Sequence, residues 1–336
     1  MAHNPKLDVL RIRLKPTTNR EVTFKTFFLD NYYIGEKAPR SEGIIFNKYF
    51  SQFIYKIDTE EFFTEKTLQK AITAYNTRGR NKTIHPHSVN YVIEGIIEGG
   101  RYGQTRNQAS LKDKKGKKKL NVDDIILDTF YFHIYTPMDS NEGVVMIQSY
   151  TEDSIRDVFI SFLRTFFSGN GYYSVTVDPF VPKAYVEKFK EGAKVRGFSF
   201  TSNMIIGEDL STAKKGEQAE LFRIRIEADV PEGSDKSLKT ILRRLGFLSK
   251  KEFNGKKLED FKTRIYLQNT NPSRNANAYY DLEKDLDTIK PTIYLDDEID
   301  TNNDGMPNFE QLKTFCFNLL ESVKKETSLL NEIKER

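Results

Sequence analysis

The amino-acid sequence predicts an α+β protein with two domains, and three observations support this prediction. The chain has 336 residues, which is more than a single domain usually contains. It is 38% hydrophobic and includes 25 Phe and 17 Tyr, so it supplies enough apolar surface for a large aromatic core. Apolar residues recur at every second position in some segments and at every third or fourth in others, which are the periods of strands and helices.

The first domain, residues 1–168, is predicted to be rich in strands and to contain a few helices. The segment Leu7–Leu14 alternates apolar and charged residues, as a half-buried strand does. Two aromatic-rich segments, 22–33 and 43–57, are assigned to neither helix nor strand. A helix is predicted from residue 59 to about residue 75, with candidate buried positions at Phe62, Leu68, Ile72 and Tyr75.

The rest of the first domain alternates strand signals with one lysine-rich segment. Strands are predicted at 89–93 and 95–97, before a predicted turn at Gly99 and Gly100. Residues 112–119 contain Gly116 and almost nothing apolar, so a mobile surface loop is predicted there. A hairpin of two strands follows at 125–135 and 143–150. The clearest amphipathic helix begins near Thr151 and ends at Gly169.

The second domain, residues 169–336, shows a regular order of elements. The predicted order is strand, helix, strand, strand, helix, strand, at 172–177, 182–190, 195–202, 221–228, 237–245 and 263–268. This β-α-β-β-α-β unit, at about 172–268, is the split βαβ pattern of ferredoxin-like folds. An acidic tail follows, with a strand at 292–295, a turn and a long amphipathic helix at 309–330.

Charge is segregated along the chain although the net charge is only +4. Residues 101–120 contain eight Lys or Arg and one acid, a local charge of +7, whereas residues 281–310 contain ten acids and two Lys, a local charge of −8. Affinity for nucleic acid therefore has to come from a local surface.

The composition favours a cytoplasmic protein. Cys316 is the only cysteine, which excludes an internal disulfide framework and suits a reducing compartment. We recognise neither a secretory signal nor an apolar run long enough for a membrane helix. The surplus of Lys, Asn and Ile and the absence of Trp are typical of an AT-rich bacterial or phage gene.

The common catalytic motifs do not occur in this sequence. We find no phosphate-cradling glycine loop, nucleophile elbow, zinc-binding histidine pair on a helix or paired C-x-x-C. The catalytic residues, if there are any, therefore stay unknown, and no cofactor is predicted. If the protein is an enzyme, a metal-dependent nuclease is the simplest hypothesis, because clustered carboxylates hold Mg²⁺. The candidate acids are Asp123, Asp124, Asp128, Asp296, Asp297 and Asp300, which alternatively cap helices and end strands.

Two sets of basic residues are candidates for contacts with phosphate. The first is the lysine loop, which provides sequence-independent attachment to a polyanion or, alternatively, only keeps the protein soluble. It contains Lys112, Lys114, Lys115, Lys117, Lys118 and Lys119. The second set consists of two Arg-Ile-Arg strands whose arginines share one strand face, namely Arg11 with Arg13 and Arg223 with Arg225. The alternative for these arginines is ion pairing on the solvent face of a sheet.

The segment Arg196–Ser202 resembles the RNP1 signature of the RNA-recognition motif. Arg196, Gly197, Phe198 and Phe200 match that signature. RNP1 belongs on the third strand of its fold, whereas this segment is predicted as the second strand, so the chain is not assigned to that family. Phe198 and Phe200 share a strand face, which stacks on bases or, alternatively, belongs to the core.

Two short motifs are weak candidates for metal binding. Asp300, Asn302 and Asp304, followed by Gly305, resemble a calcium loop, but its twelfth position is Gln311 instead of a bidentate Glu. The alternative is that Asn308 and Gln311 cap the final helix. His85 and His87 are two residues apart and would need a further ligand from elsewhere. We therefore predict no metal.

Three functional hypotheses follow, in this order. The first is a nucleic-acid-associated accessory or antiviral-defence protein that binds the phosphate backbone of DNA or RNA and is not necessarily catalytic. The second is an interaction subunit whose acidic segment, 281–310, contacts a protein partner or a second copy of the chain. The third is the metal-dependent nuclease. The first hypothesis loses most of its support if the lysine loop and both pairs of arginines do not converge on one surface.

Overall fold

The structure of this protein is a computed structural model. It describes residues 5–17, 21–34, 41–75, 83–110, 112–150, 153–206, 220–230, 252–253, 256–257, 260–269, 276–281, 290–295, 298–302 and 305–334. The chain divides into two compact units. The first consists of Met1–Phe180 and Tyr294–Arg336, and the second consists of Val181–Ile293.

The described residues contain seventeen strands and five helices. The strands are β1 (Pro5–Pro16), β2 (Phe63–Glu65), β3 (Lys70–Ala74), β4 (Ile84–His87), β5 (Val92–Arg101), β6 (Arg106–Ser110), β7 (Asp113–Leu120), β8 (Ile126–Tyr135), β9 (Glu142–Tyr150), β10 (Tyr173–Pro179), β11 (Ala193–Ile206), β12 (Glu220–Asp229), β13 (Glu252–Phe253), β14 (Lys256–Lys257), β15 (Lys262–Asn269), β16 (Ala276–Asp281) and β17 (Ile293–Tyr294). The helices are α1 (Phe24–Tyr32), α2 (Glu42–Ile57), α3 (Arg156–Ser168), α4 (Lys183–Gly192) and α5 (Phe309–Lys334).

The first unit is built on a nine-stranded sheet. Its main path has the order β10-β1-β9-β8-β5-β3-β2, and every neighbouring pair on this path is antiparallel. β17 pairs with β1, and β4 pairs with β5. The predicted strand at Leu7–Leu14 is confirmed within β1, and the predicted hairpin is confirmed as β8 and β9.

Helices α1, α2 and α3 cover one face of this sheet with an aromatic core. Phe53 of α2 illustrates the packing, since its ring lies 5.7 Å from that of Phe132 on β8 and 5.5 Å from that of Phe162 on α3, between centroids. Ile12 and Ile93 reach the same core from β1 and β5 and are fully buried. Every second residue of these strands thus faces the helices and contributes to the core, as the period of two in a strand requires.

The C-terminal helix α5 packs on the other face of the sheet. Phe317 lies edge-on against His133 of β8, with 4.8 Å between ring centroids. Lys324 places its Nζ atom 4.7 Å from the ring centroid of Tyr135. Five of the six residues predicted on the apolar face of this helix are buried, namely Leu312, Cys316, Leu319, Leu320 and Val323, whereas the sixth, Phe315, is half-buried. The sheet is therefore covered on both faces.

Three segments of the first unit differ from the sequence-based assignment or extend it. The predicted helix at 59–75 is wrong, because this segment forms β2, a turn and β3. Gln69 takes a left-handed φ of 51° in that turn, and Ile72 and Ala74 are buried when β3 pairs with β5. The two aromatic-rich segments are α1 and α2. Helix α1 begins at a capping box in which Thr23 and Thr26 bond each other's backbone N–H.

The second unit contains a four-stranded antiparallel sheet with one described helix beside it. The strand order is β12-β11-β15-β16. Val186 and Phe189 of α4 pack in a core with apolar residues of β11 and β15. Strands β13 and β14 form a separate two-stranded ladder.

The α+β class is confirmed, whereas the ferredoxin-like order is not. The predicted first strand of that unit is β10, which pairs with β1 of the first unit from Leu10↔Pro179 to Pro16↔Tyr173. Tyr173 of β10 is buried in the aromatic core of the first unit, which explains why β10 pairs with β1. The predicted helix at 237–245 lies outside the described residues.

The contacts also group the chain differently from the division predicted at residue 169. Residues 169–180 belong to the first unit because β10 pairs with β1, and the C-terminal tail returns to it because α5 packs on β8.

Candidate nucleic-acid interface

Strands β6 and β7 form a separate two-stranded sheet, which we call the basic hairpin. Its register pairs Arg106 with Leu120, Asn107 with Lys119 and Gln108 with Lys118. The prediction of a loop at 112–119 is therefore wrong for residues 113–119. The two strands pair through backbone hydrogen bonds, and apart from Leu120 their described side chains are exposed, so charged residues are accommodated on both faces.

The lysines of the basic hairpin are exposed. The described lysine side chains there belong to Lys112, Lys115, Lys117, Lys118 and Lys119, while the side chain of Lys114 lies outside the description. Among the described residues, none of these five forms an ion pair. Asp113 is the only acid of the hairpin, and its Oδ1 accepts the backbone N–H groups of Lys115 and Gly116 at 3.0 Å each. The lysines of the hairpin therefore repel one another, and a bound polyanion would offset this repulsion.

The basic hairpin connects the end of β5 to the start of β8, so it lies next to that end of the nine-stranded sheet. Arg101, the last residue of β5, pairs with Ile126, the first residue of β8. The opposite end of β8 is Tyr135, which pairs with Val144, and Val144 pairs with Arg11. Nine residues of extended chain separate the two ends, about 30 Å at roughly 3.3 Å per residue. The structure therefore does not place Arg11 at the base of the hairpin.

Arg11 and Arg13 have different surroundings from those predicted for a phosphate-binding face. The Nε of Arg13 donates to Glu142 Oε1 at 2.8 Å, which is the ion pairing proposed as the alternative. Arg11 is half-buried and lines a cleft of about 410 Å³ together with residues of β9 and α5. Acids and bases both line this cleft, among them Asp139 and Lys324.

The arginines on β12 belong to the second unit. Arg225 forms an ion pair with Glu227 at 2.5 Å and donates to the Tyr266 hydroxyl at 2.8 Å and to Ser199 Oγ at 3.1 Å. These contacts satisfy the guanidinium within the protein. The backbone of Arg223 pairs with Asn203, and its side chain lies outside the description.

The RNP1-like segment does not expose its aromatic rings. Phe198 and Phe200 are only 5% and 3% exposed, and both belong to the core of the second unit. Arg196 of the same strand donates to Gln268. Of the two alternatives given for these rings, the core is confirmed and base stacking is contradicted, because α4 covers the sheet face that carries them.

The calcium-like turn is occupied by helix capping. Asn308 Oδ1 accepts the N–H groups of Glu310 and Gln311 at 3.1 and 3.2 Å. The Gln311 side chain returns to Asp300, donating to its Oδ2 and accepting its backbone N–H, both at 2.7 Å. The capping alternative therefore explains these residues. Asn302 is described, whereas Asp304 lies outside the description.

The carboxylates proposed for a nuclease are not assembled in the described part of the chain. Asp124 accepts the backbone N–H of Asn121 at 2.6 Å, which closes a turn. Asp296 and Asp297 lie outside the described residues. No group of three His, Cys, Asp or Glu side chains within that description is arranged to hold a metal ion.

A buried polar cluster beneath α5 was not predicted from the sequence. Glu94 of β5 is 2% exposed, and its Oε1 lies 3.1 Å from both His87 Nε2 and Lys313 Nζ. His133 is fully buried, and neither of its ring nitrogens has a hydrogen-bond partner in the described structure. Burial lowers the pKa of His133 to about 3, helped by the nearby charges of His87 and Lys324. A neutral imidazole is therefore held between the sheet and α5.

The sequence contains a signal for this cluster. Glu94 and His133 interrupt otherwise apolar stretches of β5 and β8, and their positions alternate with core residues. A sheet covered on both faces would bury them, but a sheet with one solvent face would not. His85, the other member of the predicted histidine pair, is exposed.

Comparisons with known proteins assign no relatives: no protein-family model matches the chain, and no curated protein matches it. Among the described helices, none combines the length and the apolar character that crossing a membrane requires.

Proposed function

We propose that this protein attaches to nucleic acid by binding phosphate groups with the basic hairpin. The observation that supports this function is an exposed two-stranded sheet whose described lysines have no acidic partner. The arginine-bearing strands are not part of the proposed surface, because Arg13 and Arg225 are bound to acids within the protein. The attachment is independent of sequence in its electrostatic part and needs no catalytic group.

The charge of the hairpin sets the expected salt dependence. Each phosphate neutralised on duplex DNA contributes about −0.9 to the slope of log K against log salt concentration. Five lysines therefore give a slope of about −4.5, which is a loss of roughly 500-fold in affinity between about 50 and about 200 mM salt. Fluorescence anisotropy with labelled mixed-sequence DNA and RNA measures this slope.

A matched pair of triple variants tests the surface. Replacing Lys117, Lys118 and Lys119 by Ala is expected to make the slope less steep by about 2.7, because three phosphate contacts are lost. The control replaces three exposed lysines outside the hairpin by Ala and removes the same charge. These are Lys56, Lys66 and Lys188. Equal slopes for the two triple variants, or no binding by the unmodified protein at about 50 mM salt, refute the proposal.

The same proposal includes a cytoplasmic location and a role as a bacterial accessory or antiviral-defence factor. In that location and in that role the protein would encounter nucleic acid. If binding is absent, the interaction-subunit hypothesis takes its place. The acidic segment 281–310 is then the segment to test, and the measurement is the mass of the particle as a function of protein concentration.

A further inference from the structure

The cleft beside Arg11 is lined by several charged residues, some of which are paired within the protein. Its volume is about 410 Å³, and it is lined by strands β1, β8 and β9, by the loop between β8 and β9 and by helix α5. Lys324 Nζ lies 2.7 Å from Glu321 Oε1. Glu142 accepts a hydrogen bond from Arg13, which is not part of the lining. Lys324, Glu321 and Glu142 are therefore neutralised by protein groups.

Two opposite charges at this cleft have no ion-pair partner among the described residues, namely Arg11 and Asp139. Arg11 is half-buried on β1, where its backbone pairs with Val144 on one side and with Asp178 on the other. Within the described structure, the Asp178 carboxylate forms no ion pair with it. Asp139 is exposed in the loop between β8 and β9. A half-buried guanidinium without a partner loses hydration and gains no compensating contact, so it favours an anion that enters the cleft.

The rest of the lining supplies a hydroxyl donor and apolar surface. Burial, and then the charges of Asp139 and Glu321, raise the pKa of Tyr135. The Tyr135 hydroxyl therefore stays protonated at neutral pH and is able to donate a hydrogen bond. Pro137 and Val144 contribute apolar atoms. The volume lies near the lower end of the range for small-molecule sites, about 300–1,000 Å³, so the cleft suits a small metabolite and not a polymer.

We infer that this cleft binds a small molecule carrying both a carboxylate and an ammonium group, such as a free amino acid, with the carboxylate on Arg11 and the ammonium on Asp139. A guanidinium presents parallel N–H donors that match a carboxylate. A simple anion would pair with Arg11 but would be repelled by the charge of Asp139, whereas a zwitterion satisfies both. The inference goes beyond the proposed function and is independent of it, because the basic hairpin lies at the opposite end of β8.

The first experiment is isothermal titration calorimetry of the full chain with three amino acids. L-Alanine, γ-aminobutyrate and ε-aminocaproate hold their two charges at increasing distances, and at least one of them is expected to bind. Butyrate and n-butylamine carry one charge each and are expected to bind at least tenfold more weakly than the tightest of the three. No binding of any amino acid at millimolar concentration overturns the inference. Equal binding of butyrate or butylamine overturns it as well, because one charge would then be sufficient.

The second experiment removes the two charges one at a time. Arg11→Gln and Asp139→Asn are each expected to weaken binding of the tightest amino acid about tenfold or more, the scale of one charge-assisted hydrogen bond. The matched controls are Lys15→Gln, exposed on the same strand as Arg11, and Asp123→Asn, exposed in a turn. Neither of these residues lines the cleft. Both controls are expected to bind like the unmodified protein.

Thermal unfolding without ligand shows whether each variant keeps the fold. If Arg11→Gln is destabilised, Arg11→Lys takes its place, since it keeps the charge but loses the parallel donors and should still bind more weakly. Equal affinities of a cleft variant and its control overturn the inference. These results leave the proposed function unaffected, because that function is tested by the salt dependence of nucleic-acid binding.

Discussion

Mild acid is expected to destabilise the first unit through His133. This residue is fully buried, and burial lowers its pKa from 6.5 to about 3. Below about pH 6.5 the unfolded chain binds a proton at this histidine, while the folded chain does not until the pH approaches 3. Because the unfolded state binds more protons in this window, stability falls as the pH falls.

The magnitude follows from the shift in pKa. Each pH unit below the unfolded value costs about 1.36 kcal/mol, so lowering the pH from about 7.5 to about 5 removes roughly 2 kcal/mol from the free energy of unfolding. His133→Leu is expected to remove this contribution. At pH 7.5 the variant should be at least as stable as the original protein, since it removes two buried ring nitrogens that have no hydrogen-bond partner in the described structure.

Urea denaturation followed by circular dichroism at several pH values measures the effect. The control is His85→Leu, because His85 is exposed and the same substitution there should leave the acid sensitivity unchanged. Carboxylates contribute to acid sensitivity in all three proteins, so only the difference between them reports on His133. If His133→Leu loses as much stability between pH 7.5 and 5 as the original protein, the argument from burial is wrong.

Three further predictions concern the packing of α3, the base of the basic hairpin and the placement of α5. Lys70→Met should lower the free energy of unfolding by about 2 kcal/mol, measured in urea, because Lys70 Nζ bonds both carboxylate oxygens of Asp157 at 2.8 Å and joins β3 to α3. Gly100→Ala should lower the melting temperature, since an added Cβ would lie 1.8 Å from the carbonyl oxygen of Ile126 at the base of the hairpin, whereas Gly43→Ala, where the nearest atom is at 3.6 Å, should not. Cys316 is buried and burial raises its pKa, so a thiol reagent should label it in urea and not in the native protein, and rapid native labelling would contradict the placement of α5.

Local patterns were sufficient where one face of an element decides its structure. The alternation at Leu7–Leu14 predicted β1, and the apolar spacing of the final helix predicted the residues that α5 buries. Only the side chains on the covered face of each element need to be apolar, so the spacing of apolar residues shows the element's period. The start of α3 was predicted near Thr151, whereas the helix begins at Arg156.

Local patterns failed where pairing with a distant strand decides the structure. The helical spacing of Phe62, Leu68 and Ile72 was fortuitous, because β3 forms by pairing with β5 across about 25 residues of chain. The basic hairpin lacks apolar alternation altogether, since its strands are held by each other and not by a core. No period in the sequence marks such a ribbon.

The candidate site was predictable in part. The local charge of +7 located the basic segment, but charge alone did not show that it forms an exposed two-stranded ribbon. From the sequence alone, the arginine pairs and Phe198 were candidates for contact with nucleic acid in the same way as the basic segment. Their partners, such as Glu142 for Arg13 and the core around Phe198, come from other strands or helices and are invisible in a local window.

The sequence by itself determined the α+β class, the strands β1, β8 and β9, the amphipathic C-terminal helix and the concentration of lysines at 112–119. Only the tertiary structure decided that β10 and α5 belong to the first unit, that the lysines lie on a hairpin, and that His133 is buried. The physical reason is that element type follows from local periodicity, whereas burial and availability of a side chain depend on which distant surface covers it.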